Sequence, residues 1–554
     1  MSTKKAPSGK LEAYLQRAGL WVEAAMADRA ASNPAELQKL GAALHGHKAK
    51  LPISPDTEEM KQLVMALFGS AMDLIVREHQ LDPGATPALS VCFRGPTDQD
   101  MLERALAELQ NCMDAAPADP EQFLDWLARR RSSVPETLIE SRLDRLTQAM
   151  LDGHTIMFVE GAARALNLDT SGWPHRKVEE PLTEGVVRGP REGFTELLTV
   201  NTALLRRRIR DERLRIDLMR IGEVTGTRVA VAYVAGLCRP ALVAEAKRRL
   251  GRIKIDGVLE SMYLEEFIED TPWTVFPLLK STERPDVAAS ALLEGRVVIF
   301  TEGTPFALIA PTSFTDMMQT PEDYYERFPI IILVRVLRWF FAAIALLGPA
   351  FYVAFTTFHH EMLPHQLLLS IMAAREGVPF PAVVEALIME ISFEALREAG
   401  IRMPKQIGQA ISIVGALVIG QAAVQAGIVS APMVIVVSLT GLASFVIPKY
   451  STAIALRILR FIMLLLAGTF GAFGLIMGVM CVLIHLASLR SFGAPYYAPL
   501  APLLPDDFDD AIIRVPHWSN RSRPTETDAL DPIRAASGLS PAENLPQGKE
   551  HEQP

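Results

Sequence analysis

Cysteine is scarce: Cys92, Cys112, Cys238 and Cys481 lie far apart and form no Cys-x-x-Cys pair. That spacing excludes a zinc ribbon and a disulfide framework. Positive charge is not in surplus. With 55 Lys+Arg against 64 Asp+Glu the net charge is -9, so no broad basic surface for nucleic acid is expected. The opening MSTKKAPSGKLEAYLQRAGLW carries charges but lacks the continuous apolar core of a secretory leader. The N-terminal part is therefore expected in the cytosol. No phosphate loop ends in Gly-Lys-Ser/Thr, and no Ser-His-Asp set with an elbow motif stands out. His359-His360-Glu361 resembles part of a metal site, but no matching ligand stands one helical turn away, so it reads as a polar interfacial cluster. Neither an enzyme nor a cofactor is expected.

What the chain has is apolar length. Hydrophobic residues make up 49% of 554, and the mean hydropathy is +0.19 with 21% charged residues. That mixture reads as a soluble part joined to a membrane part, and the length exceeds one ordinary domain.

The soluble part reads as two α/β subdomains. Residues 1–55 are Ala-rich and read as a loosely packed helical or disordered extension. In subdomain 1, residues 56–182, an amphipathic helix is expected from Thr57, with Leu63, Val64, Leu67, Phe68, Met72 and Ile75 at helical spacing. LSVCFRG then reads as a strand, and GHTIMFVEGAARALNLD as a hairpin about Glu160-Gly161. Subdomain 2, residues 183–326, repeats the pattern in RVAVAYVAG and GRVVIFTEGTPFALIAP. Gly153 and Gly295 are 142 residues apart and the strand turns Gly95 and Gly236 are 141 apart, which points to duplication. Between the copies lies a basic run with Arg188, Arg191, Arg206, Arg207, Arg208 and Arg210. It reads either as an anion or subunit contact, since guanidinium binds carboxylates in a fork, or as a solvated helix face.

Residues 327–492 read as an all-α membrane domain of about five spans. The runs are Trp339–Phe358, with Pro349 expected to kink it, then Ile407–Gly427, Val429–Pro448 and Phe461–Leu489. Leu367–Ala374 is too short to cross and reads as re-entrant or interfacial. PFPAVVEALIMEISFEALREAG forms a helix with Glu385, Glu390 and Glu394 inside an apolar pattern. Carboxylates at membrane depth are costly and face partners, water or an ion path; an interfacial helix with its acids in water is the other reading. IGQAISIVGALVIGQAAVQAG is charge-free and rich in small residues. Val414, Val418, Gln421 and Gln425 share one face of it, which serves either as packing surface or as pore lining. Five spans would leave Arg490 and the C-terminus outside; a sixth crossing or a re-entrant element would bring the tail back. Residues 493–554, rich in Pro, Asp, Glu, Ser and Arg, read as a mobile tail.

EEPLTEGVVRGPREGFTE, NTALLRRRI, LLEGRVVIFTEGTPF, TPEDYYERF, TTFHHEMLP, VPFPAVVEALIMEISFEALREAGIRMPKQIGQ and HLASLRSFGAPYYAPLAP together resemble the A subunit of GerA-type spore germination receptors. The resemblance runs from about Glu179 to Pro502; the first copy matches more weakly, around LFGSAMDLIVRE. It implies a cytosolic region of two α/β subdomains on an integral-membrane domain in the inner spore membrane. It implies a B subunit (a transporter-like germinant sensor), a C-subunit lipoprotein, and self-association around a germinant-gated ion pore. A stage-V sporulation paralogue shares this architecture. An ion- or proton-coupled secondary transporter and a non-conducting scaffold for the B subunit are the alternative readings. The inverted repeat that many transporters carry in the membrane half is not found here.

Overall fold

The computed structural model describes residues 8–541 apart from 31–39, 42, 70, 82–85, 111–116, 118, 130–136, 173–180, 182 and 403–419. The chain divides into two compact units. One holds Met1–Glu269, Ser281–Pro311 and Ser522–Arg534; the other holds Asp270–Lys280, Thr312–Arg521 and Ala535–Pro554.

The first unit is mixed α/β and carries two five-stranded sheets of matching topology. The first sheet joins β1 (Leu74–Gln80), β2 (Pro87–Phe93), β3 (Thr137–Glu140), β4 (Thr155–Val159) and β5 (Ala165–Leu168) in the order β1-β2-β4-β5-β3. The second joins β6 (Leu214–Ile221), β7 (Thr227–Val234), β8 (Lys280–Thr282), β9 (Val297–Thr301) and β10 (Ala307–Ala310) in the order β6-β7-β9-β10-β8. Both hairpins expected from the sequence are there as antiparallel pairs, β4 with β5 and β9 with β10. The duplication thus extends to strand order, including edge strands that the sequence pattern did not reveal. Ile75 in particular lies in β1, because the helix that begins at Thr57 ends at Phe68.

Side chains alternate across a strand, so each sheet offers two faces. In the first sheet Leu89, Val91 and Phe93 point into one core with Leu63, Leu67, Leu146 and Met150. Ala88 and Cys92 point into another with Leu102, Phe123 and Leu124. The N-terminal extension belongs to the former core: Leu11, Tyr14 and Leu15 of α1 (Ser8–Arg17) and Ala24 and Ala27 of α2 (Trp21–Ala30) are buried in it. It is a packed layer, contrary to the expectation of loose helices, because its apolar residues recur at helical spacing and cover Met60 and Leu63.

A helix, α3 (Leu198–Arg208), carries the basic run to the first sheet. Arg206 is 1% exposed. Its guanidinium donates to both carboxylate oxygens of Asp73, the Nη2–Oδ1 contact being 3.0 Å, and to the Leu214 carbonyl at 3.2 Å. It also lies 4.3 Å from the centroid of Phe93. Asp73 opens the first sheet and Leu214 opens the second, so one side chain ties both repeats. Gly95 allows the approach: at φ 104° a Cβ there would sit 2.7 Å from the Ala203 Cβ.

Residues 522–534 return to the second repeat. The Leu530 N–H donates to the Leu237 carbonyl at 2.9 Å, Arg296 donates to Glu526 at 3.1 Å, and Arg239 pairs with Asp528. The region expected as a mobile tail from 493 is thus held by specific contacts as far as this return. Composition alone missed it because the anchors are polar and far apart in sequence.

The second unit is built of apolar helices: α4 (Phe328–Thr357), α5 (His365–Arg375), α6 (Ala382–Arg402), α7 (Ala431–Phe445) and α8 (Tyr450–Ser488). Two of them, α4 and α8, are long and apolar enough to cross a membrane. Pro349 lies inside α4. The last helix is not one rod. Gly471 has φ 60° and ψ -141°, outside helical geometry. A Cβ on Gly474 would fall 2.2 Å from the Leu466 carbonyl oxygen, and one on Gly478 2.6 Å from the Met463 sulfur. In a straight helix those pairs would stand about 12 and about 22 Å apart along the axis. The chain therefore reverses at Gly471, and 450–470 and 472–488 pack as an antiparallel helical hairpin. His359 stabilises the reversal: its Nε2 accepts the Ala472 N–H at 3.2 Å, one of the donors a helix start leaves open.

This changes the reading of Phe461–Leu489, which was expected as one span. The segment after α8 also meets the segment before α4. The Phe314 N–H donates to the Tyr496 carbonyl at 2.7 Å, and the Thr312 N–H to Ser491 Oγ at 3.0 Å. The segments that flank the helices thus lie together. The returning chain is anchored there too: Arg335 Nη1 donates to Asp510 Oδ1 at 3.0 Å, while Arg335 and Arg338 share Asp323.

In the first unit, Glu265 is buried on the inner side of the helix Ser261–Ile268, and burial together with Glu269, Glu260 and Glu266 pushes its pKa up to about 8. A carboxyl that holds its proton more tightly when folded costs stability as pH rises from its unfolded value, about 4.3, through about 8. Glu265→Gln is therefore expected to raise the unfolding temperature at pH 8.5, with the gain shrinking toward pH 5. Equal gains at both pH values would contradict it.

Candidate functional site

Pro379 and Pro381 cannot continue a helix from before, and α6 begins after them; the Glu385 N–H donates to the Pro381 carbonyl at 3.1 Å. From that start Glu385, Glu390, Glu394 and Arg397 fall at intervals of three to five residues along α6. The first arm of α8 lies against it in the opposite direction. Val383 meets Gly468, Glu390 meets Arg460, and Glu394 meets Arg457. Carboxylates one turn apart on α6 therefore face arginines one turn apart on α8.

Glu390 Oε2 lies 2.8 Å from Arg460 Nη2, and both side chains are 1% exposed. No aligned hydrogen bond joins them, and among the described residues both Glu390 oxygens and all three Arg460 side-chain nitrogens lack a hydrogen-bond partner. Glu394 accepts from Arg457 Nη1 at 2.6 Å. Arg397 donates to Ser444 Oγ of α7 at 2.9 Å and sits between the rings of Phe393 and Phe445, 5.2 and 4.9 Å from their centroids. Glu385 Oε1 accepts the Ser430 N–H at 2.6 Å and the Ser430 hydroxyl, and its other oxygen lies 3.6 Å from Arg375. A carboxylate there also complements the positive start of α7. The result is a ladder of ion pairs between α6 and the first arm of α8, with α7 held to it by hydrogen bonds, and the outer faces of these three helices expose Ile391, Ile435, Leu442 and Ile462.

The three acids expected from the sequence thus come together with arginines. Their partners were missed. Glu394 lies 3.8 Å from its own-helix neighbour Arg397, but its shorter contact is Arg457 of α8. The available signal was two arginines three residues apart in an otherwise apolar run, matching two acids four apart. Of the pore-lining candidates, Gln421 and Gln425 are exposed in the helical stretch that leads to Gly427. Val414 and Val418 lie outside the described residues.

The basic run divides. Arg206 is withdrawn from the candidate subunit contacts, since Asp73 and Leu214 of the same chain enclose it. Arg207 and Arg208 share Glu192, the Arg208 contact being 3.0 Å. With Pro190 and Arg191 they line an open groove of about 610 Å³. Arg188 is exposed nearby in sequence.

His45, Asp211 and Glu212 bring ligand atoms within 4.8 Å of one another. Cations of the protein already occupy them: Lys48 Nζ is 2.5 Å from Glu212, and Arg213 holds both Asp211 oxygens at 2.7 to 3.1 Å. The cluster is an ion-pair hub that fixes the N-terminal layer to the second repeat, and it does not suit a metal.

Removing one partner of a buried pair strands the other charge, at a cost of about 3–5 kcal/mol. Glu390→Ala and Arg460→Ala are each expected to lower the thermal stability of the detergent-solubilised protein sharply. Exchange of the two charges, Glu390→Arg with Arg460→Glu, should recover most of the loss. No recovery would show that the charges do not act as a pair.

The family model described as "Bacillus/Clostridium GerA spore germination protein" matches residues 62–526. Spore germination protein KA of Bacillus subtilis (strain 168) is 44% identical over 474 residues, 85% of this chain and 87% of that protein. The uncharacterized membrane protein YfkQ of the same organism is 44% identical over 474 residues, 85% of this chain and 91% of that one. Among solved structures, the N-terminal domain of the A subunit of the Bacillus megaterium spore germinant receptor GerK3 is similar at 29% identity. It covers 48% of this chain and 97% of that domain, with a TM-score of 0.37. The chain therefore belongs to the GerA spore germination protein family, as EEPLTEGVVRGPREGFTE, the TTFHHEMLP segment and the acid-bearing helix first indicated.

Proposed function

We propose that this chain is the A subunit of a spore germinant receptor and that its copies gather in a ring around a cation-conducting pore in the inner spore membrane. The first unit lies on the cytosolic side, and the helical unit crosses the membrane. A transporter-like B subunit carries the germinant, and a lipoprotein C subunit completes the receptor.

The observation that carries this reading is where polarity lies in the helical unit. The acids and arginines of the ladder neutralise one another inside a single copy. Gln421 and Gln425 instead present amides outward from a small-residue stretch. Outward amides on a membrane helix need water or a neighbouring copy, and a ring about this face supplies both. By sequence spacing alone Val414 and Val418, which lie outside the described residues, would carry this face on as an apolar constriction that closes by excluding water. Germinant opens it by binding the open receptor better than the closed one.

Glu390 favours a second reading. A buried acid without an aligned hydrogen bond suits a proton-coupled transporter. That reading expects proton-coupled uptake abolished by Glu390→Gln, whereas the channel reading expects passive flux.

Val418→Ala is expected to widen the constriction and give spores that lose ions without germinant; unchanged ion retention would count against this helix as the gate. The direct test is cation flux through the purified protein in liposomes, with and without its B subunit. The channel reading expects flux down a gradient without a co-transported proton. A chain that never conducts, even with B subunit and germinant, would be a scaffold.

A further inference from the structure

The second unit shows bare aromatic rings at one level. Trp273 is 95% exposed, Phe445 68%, Phe340 59% and Tyr450 58%. They come from four separate stretches of that unit: the loop 270–276, the end of α7, α4 and the start of α8. One core cluster fixes their level, because it holds Phe276, Ala443, Ala342 and Ala453 from those same stretches, together with Leu486 from the end of α8. The loop is fastened there at two points. Thr274 Oγ1 lies 3.0 Å from His485 Nε2 of α8, next to the exposed Ile484. The Phe276 ring packs edge-on against Phe314, which in turn packs on Trp339 of α4. Trp273, one residue before Thr274, projects from the fold.

Large rings left in water forgo the stabilisation that burial gives them. Indole and phenol rings, apolar at one end and polar at the other, favour the boundary between lipid headgroups and hydrocarbon. Length agrees with such a boundary here. From Tyr450 to the reversal at Gly471 is 21 residues, about 31 Å of helix, and the hydrocarbon core is about 30 Å thick. Charge begins where the rings end: Arg335 and Arg338, just before Phe340 in α4, hold Asp323 and Asp510. We propose that the four rings form a collar at the lipid headgroup boundary, and that the loop bearing Trp273 lies on the membrane surface as a lipid anchor outside the helices. This rests on the membrane-crossing reading above and assigns the contact that sets its depth. At that depth Arg460, ten residues beyond Tyr450, is about 15 Å in, near the mid-plane, where a lone charge costs most.

The test uses the full chain in phosphatidylcholine liposomes whose acyl chains carry bromine, a quencher of indole emission, either near the headgroup or near the bilayer centre. The emission that Trp273→Phe removes is the share of Trp273, and a side chain so exposed can be changed without disturbing the core. Ile462→Trp, made in the Trp273→Phe chain, is the deep reference, since Ile462 is exposed and 12 residues beyond Tyr450. The Trp273 share should be lost more strongly to the shallow bromines, and the Ile462→Trp emission more strongly to the deep ones. A Trp273 share that neither lipid quenches, beside an Ile462→Trp that responds, overturns the collar and leaves the membrane crossing standing; water or a protein partner then covers Trp273. Equal or stronger loss of the Trp273 share to the deep bromines puts the boundary elsewhere and overturns it as well. Silence at both positions overturns the collar and the crossing together.

Discussion

Opposite charges held between α6 and the first arm of α8 set the arrangement of the helical unit. Apolar surroundings cannot solvate a lone carboxylate or guanidinium, so each charge must find its counterpart inside the fold. Glu390 with Arg460 and Glu394 with Arg457 satisfy that demand only when the helices run antiparallel in one register. Glu385 then places the start of α7, and Arg397 places its end through Ser444 and Phe445. Small residues follow from this closeness: Gly441 lies against Phe393, Gly348 against Thr440 and Gly468 against Val383.

The first unit uses the same device. Arg206 and Asp73 are both buried, and together they hold the two repeats in one orientation. A buried pair of this kind adds little net stability, but it penalises every arrangement that separates the partners. Both units thus rely on paired charges for geometry and on apolar layers for stability.

Much of the first unit was legible in the sequence. The two hairpins stood out because alternating apolar residues flank a Gly-containing turn, and the equal offsets exposed the duplication. Edge strands were not legible: Leu74–Gln80 mixes apolar and charged residues, and Met72 and Ile75 continue the spacing of the helix before it. In the helical unit the acids were legible as costly, whereas their partners Arg457 and Arg460 were missed, because pairing across helices is not visible in either helix alone. Arg206 looks like Arg207 and Arg208 in the sequence, and only the helix rotation turns it inward. The reversal at Gly471 hides in a run of uniform hydropathy whose sole trace is the spacing of Gly468, Gly471, Gly474 and Gly478.

Family membership agrees with a receptor subunit, and the functional account then turns on which helix face meets water. The ladder should be dry and internal, and the amide face of 420–425 should be wet. The deciding measurement is modification by a membrane-impermeant thiol reagent, applied to single-cysteine variants in liposomes while cation flux is recorded. The account predicts that Gln421→Cys and Gln425→Cys react and change the flux, while cysteines at 390 and 460 stay unmodified. Reaction at 390 and 460 with silence at 421 and 425 would contradict it and move the ion path to the ladder.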